Sequence, residues 1–223
     1  MISKTAIVDS SVVIGSNVII KDFVVIYPNV IIGDNVEIME GAIIGRLPKG
    51  AGATARKTLS VFKKVHIGSG CVISPHVVIY TDVIIGSNCL VGDSASIREQ
   101  CRIGNNTLIS RFVSVNYNTT IGNKTKIMDS THITGNMVIG DNVFISTMVS
   151  TTNDNNIGSK GYDEEKICGP IIEDNVLIGA GANLLPAVRI GKNSIVGAAA
   201  LVTKNVPEGK VVMGIPARIV RDV

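Results

Sequence analysis

The stretch IIGSNCLVGDSASIREQCRIGNNTLI, residues 84–109, decides the fold. Ile85, Val91, Ile97, Ile103 and Ile109 fall six residues apart, and four residues after an aliphatic comes a small or β-branched side chain such as Ala95 or Thr107. Such residues suit short strands joined by tight turns rather than a helix, whose apolar stripe would recur every three or four positions. Outward from this stretch the same spacing holds from Val8 to Ile44, from Ile67 through Val91, Ile109 and Ile133 to Thr151, and from Ile172 to Val202, giving 28 hexapeptides. A repeat of this kind is read before any single element, because it sets the architecture of the whole chain.

A second period lies over the first. Ile67, Ile85, Ile103, Ile121 and Ile139 are eighteen apart and each is followed by Gly, so three hexapeptides make one coil and Gly marks one corner of a triangular prism. The expected fold is all-β: a parallel β-helix of about nine coils and one further side, each coil about 4.8 Å above the last. Period alone does not set the hand. The helix spans residues 1–223 as one domain, with loops at about 45–64 and 152–170 and a C-terminal segment at 207–223.

Composition agrees. The 223 residues include no Trp, four Phe and four Tyr, which suits a narrow repetitive core. A net charge of +3 gives no reason to expect nucleic acid. The opening MISKTAIVDSSVVIG holds no uninterrupted apolar region and no apolar run reaches membrane-spanning length, so no membrane partner and a cytoplasmic location are expected. Cys71, Cys89 and Cys101 fall on inward positions as small core residues, whereas Cys168 lies outside the frame as a plain loop residue or a reactive thiol. No CxxC pair occurs, and no metal is expected.

The frame breaks carry more information than the frame. From Ile44 to Ile67 is 23 residues and from Thr151 to Ile172 is 21, so each gap exceeds one hexapeptide by a loop. Both loops leave from one corner, which elsewhere carries Tyr80-Thr81-Asp82, Arg98-Glu99-Gln100, Asn116-Tyr117-Asn118 and Thr134-Gly135-Asn136. They lie five coil steps apart, roughly 24 Å, room for an extended ligand. The face running into this corner presents Val78, Ser96, Ser114, His132 and Ser150, and its opposite edge offers Asp93, Ser94, Arg111 and Asp129. Another face presents Val72, Leu90, Leu108, Lys126 and Phe144, an apolar strip of the kind that marks a protein interface. The first loop carries Lys49, Arg56, Lys57, Lys63 and Lys64 with Arg46 at its mouth and no acid; it holds a phosphate group or is a solvated basic loop.

The last third, IGAGANLLPAVRIGKNSIVGAAALVTKNVPEGKVVMGIPARIV, resembles the closing coils of the coenzyme-A-dependent hexapeptide acyltransferases. The resemblance is most specific at Gly179-Ala180-Gly181-Ala182, Val196-Gly197-Ala198-Ala199, Lys204-Asn205-Val206-Pro207 and Gly214-Ile215-Pro216-Ala217-Arg218. It implies a left-handed helix, a homotrimer with active sites between subunits, acyl-coenzyme A (acetyl being the commonest) as co-substrate and no tightly bound cofactor. The donor would lie on Gly179, Ala180, Gly197 and Ala198, with Lys204, Lys210 and Arg218 meeting its phosphates. Within that superfamily, Gly45-Arg46-Leu47-Pro48, Asp93 to Glu99, and Ser150 to Asn155 resemble the N-acyltransferases of nucleotide-linked amino sugars in the anthrose and quinovosamine pathways. The second loop has Asn-Asp-Asn in place of the His-Pro loop of many sugar O-acetyltransferases. With no nucleotidyltransferase segment ahead of the repeats, the chain is expected to use a nucleotide sugar rather than make one.

These residues predict an enzyme moving an acyl group from acyl-coenzyme A to the amine of a nucleotide-linked amino-deoxysugar. Asp93 and Glu99, at the two ends of one strand, would bind the ammonium and take its proton. Arg46, Arg56, Lys57, Ser96, Arg98, Ser114, Asn116, Tyr117 and Asn118 would hold the acceptor. The alternative is an O-acetyltransferase or amino-acid N-acetyltransferase with His132 as general base. A γ-type carbonic anhydrase needs three zinc histidines, two of them five apart, which His66, His76 and His132 do not supply. A non-catalytic scaffold needs neither two loops on one polar edge nor this C-terminal ending.

Overall fold

The computed structural model describes residues 1–54, 56–57, 60–163 and 165–223; Ala55, Thr58 and Leu59 of the first loop and Glu164 of the second lie outside the described residues. The 28 hexapeptides fold as 28 short strands, from Ile7–Val8 to Leu201–Val202, and every third strand pairs in parallel with the one a coil away. Three sheets result, of ten, nine and eleven strands, forming a left-handed β-solenoid.

The stack is slightly taller than nine coils, at about 11 turns. Ile2 pairs with Ile20 below the first hexapeptide, and Val206 pairs with Ile190 above the last. The strand Lys210–Met213 then adds to the eleven-stranded face, and Arg218–Asp222 folds back on it as the antiparallel edge. Ile2, six residues before Val8, extends the frame by one position, whereas Val206 and the two end strands lie outside it, which is why the period does not count them.

The inward aliphatics form one continuous column: Ile20, Ile26, Ile38, Ile73, Ile97, Ile121 and Ile145 are each at most 1% exposed. Cys71, Cys89 and Cys101 are free thiols in that column, and burial pushes the Cys101 thiol up to about 12. Buried threonines satisfy their hydroxyls on the next coil, as Thr107 Oγ1 does on the carbonyl of Gly122 at 2.9 Å. Each turn needs a residue of positive φ; Asn17, Asn35, Asn88, Asn106 and Asn142 supply it at one corner, since Asn tolerates that region better than most L-residues. The Gly that marks this corner has a steric cause: a Cβ on Gly122 would lie 2.5 Å from the backbone of Gly140 in the next coil. Among the described residues no helix is long and apolar enough to cross a membrane.

Candidate active site

The ten-stranded face carries the polar column. Register places Ser96 beside Ser114, Ser114 beside His132, His132 beside Ser150 and Ser150 beside Asn183. Alternation along each strand turns these side chains outward while Ile97, Val115 and Ile133 go to the core. Ser114 Oγ lies 2.7 Å from His132 Nδ1, and burial lowers the imidazole below its ordinary range, favouring the neutral form. In the tautomer whose Nδ1–H donates to Ser114 Oγ, the neutral imidazole keeps Nε2 as a proton acceptor.

The edge between the ten- and nine-stranded faces is where both loops leave: one after Ile43–Arg46, returning at Val65–Ile67, the other after Ser150–Thr151, returning at Ile171–Ile172. Tyr117 joins them. Its ring lies across Gly135 of the next coil, where a Cβ would meet ring atoms at 2.7 Å. The guanidinium of Arg56, from the first loop, lies over the same ring at 3.7 Å from its centre. Tyr162, from the second loop, donates its hydroxyl proton to the Tyr117 hydroxyl at 3.0 Å. Asn136 Nδ2 and Asn153 Nδ2 donate to the carbonyls of Ile167 and Gly135, pinning the second loop's root.

Glu99 departs from the open carboxylate that binding an ammonium requires. It is 1% exposed. Arg98 donates to both of its oxygens, at 2.9 and 3.2 Å, and Arg56 Nη1 donates to Oε1 at 2.5 Å. Burial alone would raise its carboxyl, but the Arg98 hydrogen bond, its own backbone amide, the Arg98 charge and the Arg56 bond together hold it below the usual range. Asp93 stands at the opposite edge, exposed, and its side chain has no partner among the described residues. The two carboxylates therefore flank the polar face from different edges and do not meet.

Two clefts open on the loop edge. One, of about 460 Å³, is lined by Arg56, Gln100, Tyr117, Asn118, Asn136, Tyr162, Ile167 and Cys168. The other, of about 290 Å³, lies under the first loop among Lys49, Arg56, Lys57, Arg98, Glu99 and Tyr117. Of the expected acceptor residues, Arg56, Lys57, Arg98, Tyr117 and Asn118 line these clefts, Asn116 lies beside them at the same corner, and Ser96 and Ser114 lie on the adjoining face. Arg46 and Arg98 both approach the ring of Tyr80, at 5.4 and 4.9 Å. Sequence reasoning put Gln100 and Asn136 at this corner without giving them a role and missed Tyr162 and Ile167; the signal within reach was that Tyr162 is the one aromatic of the second loop.

The residues expected on the donor separate. Gly179-Ala180 and Gly197-Ala198 stack at the edge that carries Asp93, where a Cβ on Gly179 would lie 2.5 Å from the Ala198 amide, so coil stacking alone already requires this glycine. That edge also shows Phe112 and Met148, 64% and 70% exposed and both at positive φ. Lys204 and Arg218 line a C-terminal cleft of about 420 Å³ floored by Val202, Val206 and Val212. Lys210 does not join them: it pairs with Asp222 across the antiparallel return strand. The three histidines occupy separate strands or turns, and among the described residues no three His, Cys, Asp or Glu side chains converge on a metal position.

Comparison with known proteins fits this architecture. Residues 11–46 and 169–204 match the model of the bacterial transferase hexapeptide (six repeats), and residues 56–164 match that of the GMPPB C-terminal domain. The hexapeptide transferase model thus matches a stretch near each end of the chain, and the second model the stretch between them. One curated relative, the 2,3,4,5-tetrahydropyridine-2,6-dicarboxylate N-acetyltransferase of Staphylococcus aureus (strain JH9), is 57% identical over 51 residues, which are 23% of this chain and 21% of that protein. Among solved structures, the Arabidopsis UDP-N-acetylglucosamine acyltransferase superposes over 100% of this chain and 74% of its own, with a TM-score of 0.78 at 21% identity. LpxA from Acinetobacter baumannii covers 99% of this chain and 74% of its own, with a TM-score of 0.63 at 23% identity. Likeness at that identity speaks for the fold.

Proposed function

We propose that this chain transfers an acyl group, acetyl being the simplest, from acyl-coenzyme A to the amino group of a nucleotide-linked amino-deoxysugar. The observation that carries the proposal is the loop edge: cationic and amide-lined clefts open beside the polar face on which a neutral, half-buried His132 stands. The nucleotide end lies along the clefts and the sugar reaches over the face. The donor comes from the C-terminal end, its phosphates beside Lys204 and Arg218.

The chemistry is a simple exchange. The ammonium first gives up one proton to solvent or to Asp93. The free amine attacks the thioester carbonyl, the new C–N bond forms, and the C–S bond breaks. His132 Nε2 takes the second amine proton and returns it to the departing thiolate. Ser114 holds Nδ1 so that Nε2 faces the reacting atoms. The named solved structures are acyltransferases of UDP-N-acetylglucosamine or carry that fold, and the curated relative is an N-acetyltransferase, which supports the class of reaction.

A homotrimer completes the proposal. Leu90, Phe144 and Leu177, stacked on the eleven-stranded face, are each about two-fifths exposed, and burying apolar surface is worth about 25 cal/mol per Å². A neighbouring copy on that face would also bring Phe112 and Met148 toward its own site.

The Ser114–His132 pair favours a second reading, O-acyl transfer, because a hydroxyl needs a base more than a neutral amine does. Thiol release from acetyl-coenzyme A separates the two when nucleotide-linked amino sugars are run beside their hydroxyl-only counterparts. Turnover restricted to the amines is expected; turnover with the hydroxyl sugars alone selects the second reading.

A further inference from the structure

Glu99 is an acid buried to 1% exposure at the floor of a cleft whose other charged walls are Lys49, Arg56, Lys57 and Arg98. One carboxylate stands against four cations, so the cleft keeps a surplus of positive charge. The two lysines are exposed and have no ion-pair partner among the described residues. The two arginines are oriented. Arg56 comes from a loop 43 residues before Glu99 and is fixed at three points: Glu99, the Gln100 side-chain carbonyl at 3.1 Å, and the Tyr117 ring. Arg98 is fixed by Glu99 and by the Tyr80 ring. A guanidinium has five N–H groups in a fixed fork, so each arginine retains donors beyond those Glu99 uses.

We infer that Glu99 is a positioning residue, the buried organiser of a two-arginine clamp in which Arg56 and Arg98, with Lys49 and Lys57 at the rim, take a diphosphate. Several features select this chemistry. A carboxylate sealed beneath two guanidiniums does not reach an incoming ammonium, and a cationic cleft repels one. Two forks with separate free donors match a group carrying two linked oxyanions. Without the Glu99 charge, the guanidiniums would repel each other and lose their shared anchor before any ligand arrived. The clamp gives the nucleotide-linked acceptor of the proposed function its diphosphate subsite, and the inference rests on that reading for the identity of the ligand.

Binding measured without any acyl donor tests the clamp apart from the reaction. Inorganic pyrophosphate and UDP are titrated calorimetrically into the full chain, with malonate as a dicarboxylate control. Wild type is expected to bind both diphosphates and to bind malonate at least tenfold more weakly. Glu99→Gln and Arg98→Lys are each expected to weaken pyrophosphate about 10- to 100-fold, the effect of disturbing one member of a buried charge cluster. In the acyl-transfer assay, Glu99→Gln raises KM for the nucleotide sugar by a similar factor and leaves kcat and its pH profile near wild type. Should Glu99→Gln fail to fold, Arg98→Lys, which keeps the charge and loses the fork, decides the matter. Undiminished pyrophosphate binding in both variants overturns the inference, as does a kcat loss with an altered pH limb in Glu99→Gln. Malonate binding as tight as pyrophosphate overturns the diphosphate assignment. Intact diphosphate binding with no acyl transfer to any amino sugar leaves the clamp standing and removes the proposed reaction.

Discussion

Two corners of the same prism obey different rules. At the corner between the nine- and eleven-stranded faces, residues repeat because each coil serves the next: Asn123 Oδ1 accepts the Asn105 amide at 2.8 Å, and Asp174 Oδ1 accepts the Asp141 amide at 2.9 Å. At the corner between the ten- and nine-stranded faces the residues change from coil to coil. Arg98, Glu99, Gln100 and Tyr117 make their bonds to each other and to loops that fold back from elsewhere in the chain. Monotony marks residues whose partner is the adjacent coil. Departure from it marks residues whose partner lies outside the repeat.

The sharpest way to break this comparison is at the monotonous corner. Gly122→Val drives a side chain into the Gly140 backbone at 2.5 Å. Overpacking against backbone that cannot yield is expected to cost about 3 kcal/mol or more, read as a large fall in Tm. A fall of less than a degree or two would mean that the coils separate easily and that Gly is not imposed by stacking.

On the polar face the expected effect is on catalysis. His132→Asn is expected to lower kcat/KM about 100-fold, within the usual range for a general base, with little change in KM for the nucleotide sugar. Because burial lowers the imidazole pKa, the acid limb of the wild-type profile is expected to have its midpoint below 6.5. The same shift bears on stability. The unfolded chain protonates this histidine at a higher pH than the folded one, so stability falls as pH drops below about 6.5, and His132→Asn removes that part of the decline. Unchanged turnover in His132→Asn moves the proton transfer to Asp93 or to solvent.

The regular part of the molecule was legible because its causes are local. Each strand, the inward cysteines, the column Ser96-Ser114-His132-Ser150 and the common corner of the two loops follow from counting sixes and eighteens. What was not legible depends on chain that returns from a distance. Glu99 looked open because nothing in the period says that Arg56 folds onto it. Lys210 looked free because Asp222 reaches it only through an antiparallel return strand. The nine-stranded face also shows exposed Ile84 and Val138, so the eleven-stranded face is not alone in presenting apolar side chains.

The outer strip gives a weaker test. Phe144→Asp places a charge on the eleven-stranded face beside Lys126 and Leu177 without entering the core. If a second copy covers this strip, sedimentation at micromolar concentration is expected to shift from trimer toward monomer while Tm of the monomer is kept. A monomeric wild type, or a trimer indifferent to the charge, removes the interface from this face.

The smallest effect separates the two corners directly. Asn123→Ala removes the acceptor of the Asn105 amide and the donor to Asp141 Oδ1, an exposed ladder that water partly replaces, so the expected loss is about 1 kcal/mol. Gln100→Ala, at the other corner and at a position of positive φ that Asn123 does not share, removes only an acceptor for Arg56 of the loop. Its expected cost to global stability is about 0.5 kcal/mol or less, because the coil above and below does not use that side chain. Its consequence lies in the loop: faster protease cleavage within residues 47–64 than in wild type. Equal stability losses in the two variants would mean that the polar corner also holds coil to coil, and that the division between serving the stack and serving the loops fails at Gln100.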